Sequence, residues 1–237
     1  MKSYVIHMTS ATARRVNAER LLRDLPGATW VEAVDGRDPA QVEGVETRPG
    51  DLFSPAYPFP LRAPEVGVFL SHRRCWEALV ASGEDFALIV EDDLKVEPDS
   101  LARALNLIAT VATAEMYVRL PVKQREVPAR VLGRDGDMEL MLPRRIGLQC
   151  IAQVVGRGAA ARLLAVTEVI DRPVDTLLQM HWATGQPIHA LLPNGNREVA
   201  AQIGGSTIQT KVRGRAKLAR EARRALYRAR VAARPQT

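Results

Sequence analysis

The sequence predicts an α/β fold on a parallel, Rossmann-type sheet, and three features of its N-terminal half carry that expectation. Tyr4–Met8 reads as a short apolar strand, Ala13–Leu25 as a helix, and Trp30–Val34 as a second strand. Strand, helix and strand at this spacing make a βαβ unit, whose two strands run parallel. The apolar run Phe86–Val90 then stops abruptly at Glu91-Asp92-Asp93, as a buried strand does where it reaches the edge of a sheet.

The elements follow in chain order. Thr9, Ser10 and Thr12 offer N-cap oxygens to the first helix, and Pro26-Gly27 stops it. The second strand runs into the turn Asp35-Gly36. Residues 43–64 hold Pro49, Pro55, Pro58, Pro60 and Pro64 around Phe53, Tyr57 and Phe59. Such a stretch is an irregular loop, either a packed excursion or a lid facing an acceptor. Glu65–Ala81 is a helix whose inner face collects Val68, Phe69, Trp76, Leu79 and Val80. Glu65 and His72 fall on the same face and need polar partners there.

Beyond the acidic cluster, Asp99 or Ser100 caps a helix through Leu101, Leu105 and Ile108. Tyr117–Leu120 is a short strand, and 121–145 is mixed, with a turn at Gly133–Gly136. Cys150–Val155 is a strand and Gly158–Thr167 a helix. Pro173-Val174-Asp175 leads into a helix through Leu177, Leu178 and Trp182. Ile188–Leu192 is a late strand ended by Pro193-Asn194-Gly195.

Composition bounds the class. The 237 residues are 46% hydrophobic and 25% charged, as in an ordinary globular protein. No apolar run approaches the ~20 residues that span a bilayer. Tyr4-Val5-Ile6 is too short for the core of a signal peptide, so a cytoplasmic location is expected. Cys75 and Cys150 lack metal-ligand spacing and are expected as free core thiols.

The net charge of +6 is unevenly spread. Residues 211–237 hold ten Lys/Arg and one acid, a net of +9, which leaves −3 on the rest. The chain therefore divides into a domain, 1–210, and a basic helical tail, 211–237. In that tail Leu218, Ala222, Ala225, Leu226, Ala229 and Ala233 make one stripe with arginines around it. An anionic membrane surface, a solvated helix and nucleic acid are its three readings, in that order.

Three adjacent carboxylates repel one another, and a divalent cation reverses that cost. Mg²⁺ and Mn²⁺ prefer oxygen ligands and take one or two protein carboxylates, with substrate phosphates completing the shell. A solvated acidic turn is the bland alternative. His181 and His189 are further candidates for a late metal ligand.

Several segments in order resemble glycosyltransferase family 25, the lipopolysaccharide glycosyltransferases related to collagen galactosyltransferases. They are the first strand with Arg14-Arg15, Glu32–Gly36, Glu65–His72 with Trp76, Leu88–Asp93, Gly156–Ala160 with Leu163-Leu164, Pro173-Val174-Asp175 and Ser206-Thr207-Ile208. The resemblance spans about residues 2–210. Leu70-Ser71-His72 followed nineteen residues later by Glu91-Asp92-Asp93 is its most specific part. His7-Met8, Gln149–Gln153 and Met116–Pro121 depart from the family's usual residues.

The resemblance implies a GT-A-like fold and inverting transfer of a hexose, with galactose the leading case, from a nucleotide sugar, first of all a UDP-sugar. The acceptor it implies is a saccharide or lipid-linked saccharide, so the enzyme would act peripherally at the inner face of the cytoplasmic membrane. Mn²⁺ or Mg²⁺ would bind Asp93, with Asp92 ligating directly, through water, or holding the ribose, and Glu91 orienting the site. Met8, Thr9, Arg15, Asp35 and Gly36 become candidates for nucleoside and phosphate contacts, Arg15 preferred over Arg14. Asp175 is the first candidate for the general base and Glu65 the second, each also readable as a helix-start acid. His72 would pair with a carboxylate or contact substrate. A non-catalytic binding protein that keeps this fold and uses its basic tail is the alternative.

Overall fold

The computed structural model describes residues 1–203 and 215–237, and the side chains of 218–237 in the last segment. Ser206-Thr207-Ile208 and the start of the basic tail lie outside the described residues. The first half runs β1 (Lys2–His7), α1 (Thr12–Asp24), β2 (Ala28–Glu32), β3 (Glu46–Thr47), α2 (Ala63–Ser82), β4 (Phe86–Glu91), β5 (Leu94–Lys95), α3 (Pro98–Ala109) and β6 (Tyr117–Arg119). The second runs β7 (Pro128–Asp135), β8 (Met138–Pro143), β9 (Ala152–Gly156), α4 (Arg157–Ala165), β10 (Val169–Ile170), α5 (Val174–Leu178), α6 (His181–Thr184), β11 (Ile188–Leu192), β12 (Arg197–Glu198) and α7 (Arg215–Ala232).

Eight strands form one sheet in the order β2-β1-β4-β9-β6-β11-β8-β7. β1 pairs parallel with both β2 and β4, so the expected βαβ unit is present. The sheet is nonetheless mixed, because β9 lies antiparallel between β4 and β6, and β8 antiparallel between β11 and β7. The other six strands point one way. Their carboxyl ends, with the start of β9, share an edge, where an open α/β sheet binds its ligands.

Helices cover both faces. On one, Phe69, Trp76 and Leu79 of α2 meet Ala159 and Leu163 of α4 over the sheet. On the other, Leu21 of α1 and Leu101, Ala104 and Leu107 of α3 share a second core cluster. Cys75 and Cys150 are free and buried, as expected. Val80, expected on the inner face of α2, is instead exposed, at the margin of the stripe.

Some local expectations change. Neither Asp99 nor Ser100 caps α3: Glu97 does, accepting from the amides of Asp99 and Ser100, with Pro98 at the first helical position. Ala11 is the N-cap of α1 and has no side chain to offer. Residues 128–143 form a hairpin turning at Gly136, whose φ is +58°, and its alternation is broken by two register shifts. The helix expected through Leu177 and Trp182 is two short ones, α5 and α6.

Close approach explains the paired glycines. A Cβ on Gly36 would lie 1.8 Å from the Ala63 carbonyl oxygen, and one on Gly67 would lie 2.4 Å from that of Val34. The turn after β2 thus sits directly on the first turns of α2. Ser71 fastens the contact: its hydroxyl accepts from the Val34 amide (2.9 Å) and donates to the Gly67 carbonyl (2.7 Å).

The basic helix packs on the body. Tyr227 is buried, and its ring meets Tyr57 edge-on at 5.5 Å. Its hydroxyl accepts from Arg172, a buried guanidinium paired with Asp171 at 2.7 Å. Arg220 and Arg224 lie over Phe59, and Arg234 lies over Trp182. Gln236 is buried between the Pro143 carbonyl and both backbone groups of Ile188. The proline-rich loop is therefore packed beneath α7. The Leu218–Ala233 stripe faces away from Tyr227, with Leu218 and Leu226 exposed.

Candidate active site

The acidic cluster sits at the carboxyl end of β4, between two clefts. Asp92 is buried, and both its oxygens are engaged. His7 Nδ1 lies 2.7 Å from Oδ2, and Arg14 donates to Oδ1 at 2.6 Å. Asn17 donates to the Asp92 carbonyl at 2.6 Å, which fixes the backbone of the turn against α1. His7 rests edge-on against Trp30 at 4.4 Å, and its Nε2 is buried without a partner.

Glu91 is held from the other side. Gln153 of β9 donates its amide to His72 Nδ1 at 3.0 Å, so His72 carries its proton on Nε2 and presents it to Glu91 at 3.2 Å. His72 is fully buried and both its nitrogens are occupied. The pairing with the acidic cluster weighed for it from sequence is present, and it holds Glu91 in place.

Asp93 differs from its neighbours. It is buried, Oδ2 is 3.3 Å from Arg14, and Oδ1 has no partner. Burial first, then the charge of Glu91, pushes its carboxyl up to about 7 against the pull of Arg14, with Asp92 and Glu198 adding to the rise. An unpartnered buried carboxylate oxygen facing a cleft fits a divalent cation, whose charge would remove that penalty. Among the described residues no three His, Cys, Asp or Glu side chains converge on a metal. The donor set therefore suits an ion that draws its other ligands from phosphate and water. With both oxygens engaged, Asp92 is less open to a metal than Asp93.

Arg14 keeps its charge despite burial, because Asp92, Asp93 and Glu91 together raise its pKa above the ordinary value. Sequence reasoning preferred Arg15 as the phosphate contact, but it is Arg14 that reaches the acidic cluster. Arg15 points outward and pairs with Glu19 at 2.9 Å, whereas one residue earlier, 100° around α1, Arg14 faces the strand ends.

The first cleft is lined by Met8, Ala11, Arg14, Asp35, Gly36 and His72, with Glu91 and Asp92 at its floor. Met8, Asp35 and Gly36 thus fall where a nucleoside site was expected. Thr9 does not line it, since its amide (2.8 Å) and its hydroxyl both bond the Glu32 carboxylate.

The second cleft, about 390 Å³, lies across Arg14 and Glu91 from the first, and Asp93, Glu65, Asp175, Tyr57, Gln149 and Glu198 line it. Both base candidates therefore face the metal candidate, but they differ in freedom. The Glu65 oxygens close a capping box with Arg62, accepting its amide at 2.9 Å and its guanidinium at 2.7 Å. Asp175 accepts longer contacts from the Gln149 amide and the Thr176 hydroxyl, each at 3.3 Å, and also bonds the Thr176 amide, while burial raises its pKa. It lies in the first turn of α5, with Pro173 as N-cap.

Sequence reasoning missed Gln149, Gln153, Asn17 and Glu198. Gln149 is the one non-glycine residue with positive φ (96°) among the described residues, and such strain collects at functional sites. Its side chain bridges the Val122 amide and Glu198, while Arg119 grips its carbonyl. No sequence signal marks any of the four. His181 and His189 are not at the acidic cluster: His181 contacts the Arg234 carbonyl, and His189 is buried within β11.

Comparison with known proteins identifies the family. Residues 1–130 match the model of "Glycosyltransferase family 25 (LPS biosynthesis protein)". Procollagen galactosyltransferase 1 of Danio rerio is 33% identical over 119 residues, covering 47% of this chain and 20% of the relative. Procollagen galactosyltransferase 2 of Mus musculus is 28% identical over 184 residues, 70% of this chain and 29% of the relative. A "probable inactive" family member 3 of Rattus norvegicus is 32% identical over 118 residues, 48% of this chain and 20% of the relative. The chain spans only about a fifth to a third of the length of these relatives.

Proposed function

From a chain that belongs to glycosyltransferase family 25, we propose a metal-dependent hexosyltransferase that moves a sugar, galactose first, from a nucleotide diphosphate to a saccharide or lipid-linked saccharide. The observation that carries this reading is the arrangement of two clefts meeting at Glu91-Asp92-Asp93, with an unpartnered Asp93 oxygen beside the second cleft, which also holds the Asp175 carboxylate.

The donor's nucleoside lies along Met8, Asp35 and Gly36, and its diphosphate reaches Arg14 and Asp93. A Mn²⁺ or Mg²⁺ held by Asp93 supplies charge neutralisation for the departing diphosphate. Arg14 adds a fixed cation on the same side. His72 and Gln153 hold Glu91 so that its charge stays at the site. Asp175 accepts the proton of the acceptor hydroxyl as that oxygen bonds the anomeric carbon from the face opposite the leaving group, which inverts the configuration. Its raised pKa makes it a stronger base than an ordinary aspartate. Glu65, spent on its cap, is the lesser choice.

No helix among the described residues is long and apolar enough to cross a membrane. The outward stripe of α7, with Leu218 and Leu226 exposed among arginines, supports peripheral contact with an anionic membrane. The rat relative called inactive keeps the binding-protein alternative in view.

The test is thermal stabilisation by a panel of nucleoside diphosphates with and without Mn²⁺, on wild type and Asp93→Ala, followed by sugar-transfer assays with the nucleotide selected. Stabilisation by one nucleotide that requires both metal and Asp93 is expected. A folded protein that responds to no nucleotide, with or without metal, rules the reading out.

A further inference from the structure

A third concavity, about 680 Å³, continues from the second cleft and shares Leu148, Gln149, Asp175 and Glu198 with it. Its far walls carry Lys123, Arg125, Arg144, Arg145, Arg228 and Arg234. Three separate segments supply these cations in pairs: the stretch after β6, the end of β8, and α7 with its following turn.

This is more than a solvated basic face. Glu126 is the acid nearest these cations in sequence, and it is buried against Arg119. Asp175 and Glu198 lie at the end shared with the second cleft. Among the described residues, Lys123, Arg125, Arg144, Arg145 and Arg228 have no carboxylate within ion-pair distance. Collecting like charges around a concavity costs repulsion, which an anion in the groove removes. The α7 wall is also fixed. Tyr227 and Gln236 anchor the helix, and Arg234 is held over Trp182 and donates to the Ser54 carbonyl at 2.9 Å.

We infer that this groove seats an acidic acceptor: an oligosaccharide bearing phosphate or carboxylate groups, held by the arginines so that a neighbouring hydroxyl reaches Asp175. The inference rests on the proposed glycosyl transfer for the role of Asp175, but the groove's ligand chemistry is separable from it. The volume lies in the ~300–1,000 Å³ range of small-molecule sites, which suits a short glycan better than a flat bilayer. Among the described residues the lining contains no Phe, Tyr or Trp to stack bases, which disfavours single-stranded nucleic acid.

The experiment is calorimetric titration of the full chain with matched pairs, phosphorylated trehalose against trehalose and sialyllactose against lactose. It is run on wild type, Arg144→Gln/Arg145→Gln and Lys123→Gln/Arg125→Gln. The nucleotide and Mn²⁺ thermal response serves as a separate control, and phosphatidylglycerol vesicles provide the lipid arm. At least one acidic member of a pair is expected to bind about tenfold or more tighter than its neutral parent, a preference that salt weakens and either double variant reduces about tenfold. That result supports the groove even if no nucleotide responds, in which case the glycosyltransferase reading alone fails. Equal binding within both pairs, or a preference that both double variants keep, overturns the inference whatever the nucleotide does. Vesicle binding that both variants abolish, with no acidic saccharide bound, overturns it in favour of a lipid surface.

Discussion

The cleft above Met8 and the groove beyond Asp175 lie on either side of the same carboxylates and are built by opposite rules. In the first, polar groups answer to one another: His7 and Arg14 to Asp92, Gln153 through His72 to Glu91, Ser71 to the loop on Gly36. In the groove, cations project from three segments with their charges left for something else. A network closed on itself fixes geometry and suits a ligand whose chemistry is always the same. An open set of charges selects among ligands by their anionic groups. The match to the family model covers 1–130 and so includes the first cleft. Four of the groove's six cations lie beyond it.

The sharpest division between the two sides is Asp175→Asn. It lowers kcat by about 10²–10⁴, the usual contribution of a general base, while the metal-dependent nucleotide response stays intact. Loss of that response together with turnover would mean that the two clefts are not functionally separate.

Gly36→Ala attacks the closed side. Its Cβ meets backbone, which cannot swing away, so a loss of about 1–3 kcal/mol and a melting temperature lower by several degrees are expected. The nucleotide response weakens as the Asp35 turn lifts from α2, whereas binding of acidic saccharides is unaffected. Chemical denaturation with both ligand titrations checks this.

The carboxylate between the two sides is read by pH. Asp93, held up at about 7, binds a proton in the folded state that the unfolded chain releases near 4, so metal-free stability falls as pH rises from about 4 to about 7. Asp93→Asn removes that component. Melting curves should place the variant progressively above wild type across this window, with a constant gap above it. Mn²⁺ should raise only the wild type, and its affinity should grow with pH through about 7 as the carboxyl deprotonates. Parallel pH profiles for the two proteins would remove burial as the force acting on Asp93.

How far the sequence was legible follows the range of the interactions. The strands β1, β2 and β4, the helix α2 and the acidic turn were readable because local periodicity and one abrupt change of polarity define them. Glycines 36 and 67 were visible as letters, yet their reason, backbone resting on backbone, appears only when residues thirty apart are placed together. Arg14 and Arg15 were indistinguishable in composition, and a 100° step separates them in placement. β9 read as a strand, but nothing local says that it enters the sheet antiparallel between β4 and β6. Gln153 could therefore not be placed behind His72. The β7–β8 hairpin stayed hidden because its register shifts at Pro128/Arg130 and Val131/Gly133 break the alternation that marks a strand. The tail read as an appendage because, among its described residues, Tyr227 is the one buried hydrophobic side chain.

The position of β9 bears on how the chain assembles and where it can be cut. β4 hydrogen-bonds to β1 on one side and to β9 on the other, and never to β6. β4 therefore takes both partners from far along the chain, about eighty-five residues back in Lys2↔Ala87 and about seventy ahead in Phe86↔Gly156. Long-range pairing of this kind slows folding, and until it is made Ala87–Val90 is an open apolar edge on which other chains can add. A fragment trimmed to residues 1–130 would keep the motifs that identify the family, lose the strand that closes β4, and aggregate.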